Sequence, residues 1–594
     1  MLYFQSVILY NKARINTKRW NMKHLIPYFK KYKTQSILAP LFKMLEACFD
    51  LAVPLIVASI IDTGIAKADK SFVISRFFLL VLMSLLGLLS SFTAQFFAAK
   101  AAIGTATGLR HELLQKVQSF SFSELDSIGK STLITRLTGD INLVQNGVNM
   151  FLRLFMRSPF IVFGAAVLAF YVSPDLALIF VGIIVLLFIV VFGIMFVTKP
   201  MHKTVQQSLD RVTAETRESL GGVRVIRAFS REEKQQEAFE KANGSLLTSQ
   251  LKVGRISALL NPATYIIVNG AVILILWFGA DKINNGQLFS GDIVALINYT
   301  GQILIELVKL ASLITLIARS IASMGRVGQL LDTEGSMTYG ELTEGKDDDE
   351  ILSFKNVSLT YKGAGAPSLS DISFEVKKGE TVGIIGGTGS GKSTLVHLIT
   401  RFYDATEGEV LLKGEGIKDW SKSALNKTVS IVPQKAMLFS GTVKSNLLYG
   451  NKSATDERLY EALRLAQAED FVKEKGGLEA EIIQGGRNLS GGQRQRLTIA
   501  RALVSDADII ILDDSSSALD FATDAALRRA LKTLSDKKTV FIVSQRTSSV
   551  AHADKILVLD DGVLAGSGTH ESLLESCEVY REIHDSQFKK EVQR

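Results

Sequence analysis

Six apolar stretches occupy the first half of this chain, each long enough to cross a bilayer as a helix. A hydrocarbon core of about 30 Å needs roughly 20 mostly apolar helical residues. Segments 36–61, 72–100, 150–171, 174–197, 257–280 and 293–318 meet that length. Lipid offers backbone groups no water to pair with, so a spanning segment must satisfy its own hydrogen bonds as a helix. The pattern therefore predicts a six-helix α transmembrane domain over residues 21–331, a multi-pass membrane protein whose first partner is the lipid bilayer.

The connections set the orientation. Those at 62–71, 172–173 and 281–292 are short and carry few basic residues. Those at 101–149 and 198–256 are long, helix-patterned and basic, with Arg110, Arg136, Arg211, Arg217, Arg224, Arg227 and Arg231 among them. Positive loops stay inside, so these helical extensions and both termini are expected to be cytoplasmic. The formal net charge of +8 is thereby explained without nucleic acid, which is not expected as a partner. The leading MLYFQS resembles the remnant of an engineered protease site, and the tail 1–20 is left out of the fold reasoning. No cleavable signal peptide follows it, and the lack of an appended targeting segment fits a bacterial plasma membrane. The stretch HLIPYFKKYK (24–33) suits either an amphipathic interfacial helix or the start of the first span. Two cysteines, Cys48 and Cys577, are too few for a disulfide framework or a cysteine metal site.

After an acidic, spacer-like linker at 332–350 the texture changes. From 351 to 594 short β-rich runs such as ETVGIIG, TVSIVPQ, DIIILDD and TVFIVSQ alternate with helical patterns, which predicts an α/β domain. An Asp561-Gly562 pair in its last β-rich run marks a hairpin. The run GGTGSGKST comprises Gly386, Gly387, Thr388, Gly389, Ser390, Gly391, Lys392, Ser393 and Thr394. It follows an apolar strand and opens a helix, the setting of a P-loop. Its glycines let backbone N–H groups turn toward phosphate oxygens, and the helix N-terminus adds positive potential. Lys392 would reach the β- and γ-phosphates and Ser393 would bind Mg²⁺. Asp513, at the end of IIILD, fits the second metal-associated acid of such a site, expected on a strand beside the P-loop strand.

LSGGQRQRLTIARAL (489–503) then narrows the class. Leu489, Ser490, Gly491, Gly492 and Gln493 resemble the signature motif of ATP-binding cassette (ABC) proteins. Other markers stand in that family's order: Tyr361 as the aromatic that stacks on adenine, Gln434 as the Q-loop residue and Mg²⁺ contact, and SALD (517–520) with Asp520 as the D-loop. Six spans followed by one such domain resemble a half-transporter of the type IV, multidrug-exporter-like class. SFSFSELDSIGKSTLITRLTGDI (119–141) and GGVRVIRAFSREEKQQEAFEKAN (221–243) resemble its loops, whose tips carry coupling helices that touch the nucleotide-binding domains. The resemblance implies two cassettes facing head to tail, each ATP lying between one chain's P-loop and the other's signature. Ser490 and Gly492 would then serve a partner's ATP.

Two positions depart from the family pattern. A glutamate usually follows the Walker B aspartate and polarises the attacking water; here Asp514 stands there, its carboxylate one C–C bond, about 1.5 Å, nearer the backbone. A general base must lie within hydrogen-bond reach of its proton donor, and a misplacement of about 1 Å can cost on the order of 100-fold in rate. The family's switch histidine is replaced by Gln545, whose amide can bond a phosphate but carries no positive charge. Two departures in one site beside an intact signature resemble the degenerate-site subunit of a heterodimeric exporter, whose partner chain carries the missing Glu and His.

Ionisable residues inside spans are expensive. Lys43, Glu46 and Asp50 share one face of the first span, and Gln302, Glu306 and Lys309 have similar spacing in the sixth. Glu46, Asp50, Gln302 and Glu306 are candidates for a polar cavity lining that attracts small cationic amphipaths; internal pairing such as Lys43–Glu46 is the plainer reading and the favoured one. The leading expectation is an ATP-hydrolysing translocase exporting drugs or other amphipathic compounds. A lipid or peptide exporter half is the alternative, though no N-terminal peptidase domain precedes the spans. A membrane regulator clamped by ATP without turnover is the alternative from another class.

Overall fold

The computed structural model describes residues 23–346, 349–515, 518–533 and 538–588, which divide into two compact units. The N-terminal tail and Ser517 of the SALD stretch lie outside the described residues.

The first unit is helical, and among the described residues it holds six helical segments long and apolar enough to cross a membrane: Lys33–Ile65, Lys70–Ser119, Lys130–Val172, Pro174–Gly221, Glu232–Asn284 and Ser290–Leu331. The 50 residues of the second rise about 75 Å at 1.5 Å each, more than twice the hydrocarbon thickness. Such helices therefore carry the chain well past the bilayer, and the 101–149 and 198–256 connections are largely their continuations.

The sixth helix forms the seam of the bundle. Tyr299, fully buried, donates its hydroxyl to the Leu51 carbonyl at 2.7 Å, a carbonyl of the first span. The Gly291 N–H donates to Asp62 at 2.6 Å, where an added Cβ would lie 2.4 Å from the Ala58 carbonyl oxygen. In the second span small residues, among them Ala94, Ala98, Ala101, Ala102 and Ala106, face inward, whereas Phe77, Phe78, Leu85, Leu89 and Phe92 are exposed. This is the division expected of a helix with protein on one side and lipid on the other. The HLIPYFKKYK stretch forms a short helix, Ile26–Lys31, running through Tyr32 into Lys33–Ser59. Its tyrosines fill gaps left by glycines of the second span: a Cβ on Gly108 or Gly104 would meet the Tyr28 or Tyr32 ring at 2.2 Å. Tyr28 also donates to Glu112 at 2.7 Å.

The second unit contains residues 334 onward together with Ser119–Lys130 of the first long connection. Its strands are β1 (Glu350–Leu359), β2 (Leu369–Lys377), β3 (Thr381–Gly386), β4 (Glu407–Leu412), β5 (Glu415–Gly416), β6 (Val429–Val432), β7 (Gly441–Thr442), β8 (Glu481–Ile482), β9 (Ile509–Asp513), β10 (Thr539–Val543), β11 (Lys555–Asp560) and β12 (Val563–Gly568). The main sheet runs β12-β11-β3-β10-β9-β6, parallel except for the β11–β12 hairpin. Asp561 and Gly562 both take positive φ (+42° and +83°) in that hairpin's turn, as a two-residue turn matched to strand twist requires. An antiparallel sheet, β2-β1-β4-β5, lies in the same unit, and Phe354, Phe374, Leu395 and Ile511 share one core.

The acidic stretch after Leu331 is more than a spacer. Leu342 pairs with Trp420, the Gly340 N–H donates to the Lys418 carbonyl at 3.2 Å, and buried Arg401 holds the Thr338 carbonyl at 2.6 Å. Helix Phe122–Ile128, from the tip of the first long loop, also docks within this unit. Phe122 stacks on Phe402 with centroids 4.2 Å apart, the Tyr403 hydroxyl bonds Asp126, and the Ser336 N–H donates to Glu124 at 3.1 Å. The corresponding helix of the second long loop, Val223–Ala228, buries none of its residues and lies in the first unit.

Candidate functional site

Parallel strands bring four separate loops to one end of the sheet. β3 ends at Gly386 and feeds the P-loop; β9 ends at Asp513; β10 ends at Val543, just before Ser544 and Gln545; β6 ends at Val432, two residues before Gln434. In open α/β sheets ligands sit in the crevice beyond these carboxyl ends. Contrary to the expectation for Asp513, β9 is not the neighbour of β3, because β10 lies between them. The intervening strand is the reason the 544–545 loop opens into the same crevice as Lys392 and Asp513.

That crevice is a cavity of about 440 Å³ lined by Thr388, Gly389, Gly391, Lys392, Ser393, Thr394, Gln434, Asp513, Asp514 and Gln545. Gly389 and Gly391 adopt φ of +88° and +98°, a backbone shape that side chains with a Cβ resist. Gly391 immediately precedes helix Lys392–Ile399, so its twist turns the loop into the helix N-terminus. The Lys392 ammonium donates to the carbonyls of Gly386 at 2.9 Å and Gly387 at 2.5 Å, folded back over its own loop. Burial holds it below the usual lysine range, against the pull of Asp514 and Asp513. Burial and the adjacent Asp514 carboxylate push Asp513 up to about 6, with a hydrogen bond from Ser393 acting the other way. A hydroxyl and a carboxylate in contact, hard oxygen donors beside a phosphate-sized loop, fit Mg²⁺; Ser393 and Asp513 would hold it, with Gln434 at the cavity wall.

Asp514 carries a positive φ of +45°, tolerated by aspartate better than by most residues. Its N–H donates to the Val543 carbonyl at 3.0 Å, and Gln434 donates to its carboxylate at 3.5 Å. Gly386 and Ser390 stand behind the cavity: Ser390 is buried, and its carbonyl accepts the Gly562 N–H at 3.3 Å. Tyr361 lies apart from the cavity wall. Its ring meets Tyr403 edge-on at 4.9 Å, and its hydroxyl lies 3.2 Å from the Thr394 hydroxyl and 3.3 Å from the His397 ring.

The signature is elsewhere. Leu489 leads to Ser490, which caps helix Gly491–Val504: its hydroxyl accepts the Gln493 N–H at 3.2 Å, and its own N–H donates to the Gln493 side chain at 3.0 Å. Gly492 faces the Ala518 carbonyl, 3.2 Å from where a Cβ would stand, and Asp520 caps the helix that follows through the Thr523 N–H at 2.9 Å. None of the five signature residues lines the P-loop cavity. Sequence reasoning missed Pro367, Ser368, Asp561 and Gly562, which also line it. The Asp561-Gly562 pair was visible as a turn, but nothing in the sequence said where the turn would point.

In the membrane unit the polar residues of the first and sixth spans meet an arginine from the third. Arg157 donates to Glu306 at 2.6 Å and Asp50 at 2.8 Å and lies 3.9 Å from Glu46. Lys43 pairs with Glu46 at 2.5 Å and Lys309 with Glu306 at 2.9 Å; Ser158 donates to Glu306 at 2.7 Å, and Gln302 to the Asp50 carbonyl at 3.3 Å. Three acids and three bases make a formally neutral cluster.

Six membrane-length helices joined to a P-loop α/β unit, with an acid-ended strand and a separate serine-capped glycine helix, define a membrane protein driven by a nucleotide-binding domain. Residues 36–307 match the ABC transporter transmembrane region and residues 369–517 the ABC transporter family. The chain is 34% identical over 574 residues to the uncharacterized ABC transporter ATP-binding protein YfiB of Bacillus subtilis, covering 96% of this chain and 99% of that one. It is 30% identical over 571 residues to the ATP-dependent lipid A-core flippase of Escherichia coli K12, covering 95% and 97%. The solved structure of a bacterial Atm1-family ABC exporter with ATP bound superimposes with a TM-score of 0.76 at 23% identity, over 94% of this chain and 98% of that one. The chain belongs to the ABC transporter family and has the fold of an exporter half.

Proposed function

We propose that this chain is the ATP-holding half of a heterodimeric exporter that moves amphipathic compounds outward across a bacterial plasma membrane, with both termini cytoplasmic. The observation that carries the reading is the company Asp514 and Gln545 keep. Both stand in one cavity with Lys392, Ser393 and Asp513, so the two departures from the family pattern fall on a single catalytic centre. The groups that would bind ATP and Mg²⁺ are complete; the groups that would activate water and sense the terminal phosphate are the altered ones. Ser490 and Gly492, outside that cavity, are unaltered and available to a second chain's ATP. A lipid-like amphipath is the favoured cargo class, since relatives named as lipid A-core flippases align across the membrane half. The charge cluster around Arg157 carries no formal net charge to draw in a simple cation.

The ranking of two substitutions in the reconstituted pair tests the assignment. Ser490→Ala, which removes a contact to the partner's ATP, should abolish turnover, while Asp514→Asn should lower it by less than about tenfold, the range of an already misplaced base. The opposite ranking would mean that the competent site is this chain's own.

A further inference from the structure

One side chain remote from the P-loop grips the switch loop from both sides. The Thr547 N–H donates to the Oε1 of Gln587 at 2.9 Å, and the Nε2 of Gln587 donates to the Gln545 carbonyl at 2.8 Å. These backbone groups flank Arg546, where β10 has ended at Val543 and the short helix Thr547–Val550 is only beginning. A strand ladder no longer serves them there; Gln545 is exposed but Thr547 is buried, so its N–H needs a partner within the protein. A glutamine amide suits the gap because it offers a donor and an acceptor on one planar group.

The brace has a firm base. Gln587 lies in the last turn of helix Glu578–Phe588, whose Tyr580 is fully buried in a core shared with Ile385 of β3 and Val558 of β11. The helix is therefore fixed to the strand that carries the P-loop. On its far side the switch loop reaches the residue after Asp520: the Arg546 guanidinium stands 5.7 Å from the centroid of the Phe521 ring. Ser544 ties the loop internally, accepting the Arg546 N–H at 3.0 Å.

We propose that Gln587 is a positioning residue of the nucleotide site, a two-armed brace that fixes the Gln545 backbone and so sets where the Gln545 amide meets the terminal phosphate of bound ATP. This rests on the reading that the P-loop cavity holds ATP. Methionine at 587 keeps the length and removes both arms. Glutamate keeps the acceptor for Thr547 but sets a second acceptor against the Gln545 carbonyl.

The test uses the full chain in lipid nanodiscs with Mg²⁺ and radiolabelled ATPγS, following release of the analogue. Gln587→Met should speed release by about threefold to tenfold, the size expected for one or two lost hydrogen bonds, and Gln587→Glu by at least as much, because its second acceptor repels the Gln545 carbonyl. Gln545→Ala should speed release by itself, and adding Gln587→Met to it should change the rate by less than about twofold, because coupled groups are not additive. Multiplying effects in the double variant would show that Gln587 acts on the fold at large, and wild-type release in Gln587→Met would show that the brace does nothing; either overturns the proposal. Failure of the unmodified chain to retain ATPγS is a different result, which removes the ATP-holding reading and the brace with it.

Discussion

Asp514 is where the chemistry of this chain turns. Its carboxylate lies in the cavity beside Lys392, but its side chain is one carbon short of the family's glutamate, and Gln434 already contacts it at 3.5 Å. Asp514→Glu should therefore extend the base toward bound nucleotide and raise steady-state ATP hydrolysis at this site by about 10- to 100-fold. An unchanged rate would move the defect to Gln545, where the missing positive charge is the remaining departure. The P-loop, Asp513, Asp514 and Gln545 were all legible in the sequence, because each motif is local and its residue types state their chemistry. What was not legible is distance along the chain: no pattern near Gln545 indicates that Gln587, 42 residues later, will hold its carbonyl. The order of β3, β10 and β9 was likewise hidden, since alternation of strands and helices reveals a parallel sheet without its sequence of neighbours.

At the scale of elements, the spans were legible from apolar length alone, and their partners were not. Lys43–Glu46 could be read from helical spacing, but Arg157 arrives from another helix and ties Asp50 to Glu306, residues more than 250 positions apart. A buried charge stripped of its partner costs far more than the pair contributes. Arg157→Met should thus lower stability by about 3–5 kcal/mol, read as a fall in the thermal unfolding midpoint in detergent. Adding Asp50→Asn should recover part of that loss, since Asp50 loses its ion-pair partner while Glu46 and Glu306 keep Lys43 and Lys309; no recovery would mean that Arg157 contributes packing instead. The linker shows a related limit. Its acidic composition suggests a free spacer, yet backbone pairing with Trp420 and the grip of Arg401 lay it along the nucleotide-binding unit.

For the whole molecule, the helices of the two long loops and the two parts of the proposed ATP chemistry follow one logic of shared parts. Helix Phe122–Ile128 is numbered with the membrane half but folds with the nucleotide-binding unit through Phe402 and Tyr403. The signature helix belongs to this chain, yet its capped N-terminus supplies none of the residues that line this chain's P-loop cavity. A chain so arranged has a use for a second cassette, and on the heterodimer proposal Asp514 and Gln545 make this chain's own site the weaker of the two. Turnover of the chain purified alone in lipid nanodiscs, with saturating Mg²⁺ and ATP, addresses that claim most directly. Hydrolysis should stay below about 0.01 s⁻¹, 100-fold under the low end of the 1–10³ s⁻¹ typical of enzymes, with ATP nevertheless retained. Sustained hydrolysis on the order of 1 s⁻¹ or faster by the chain alone would contradict it, and would make this protein a complete homodimeric transporter.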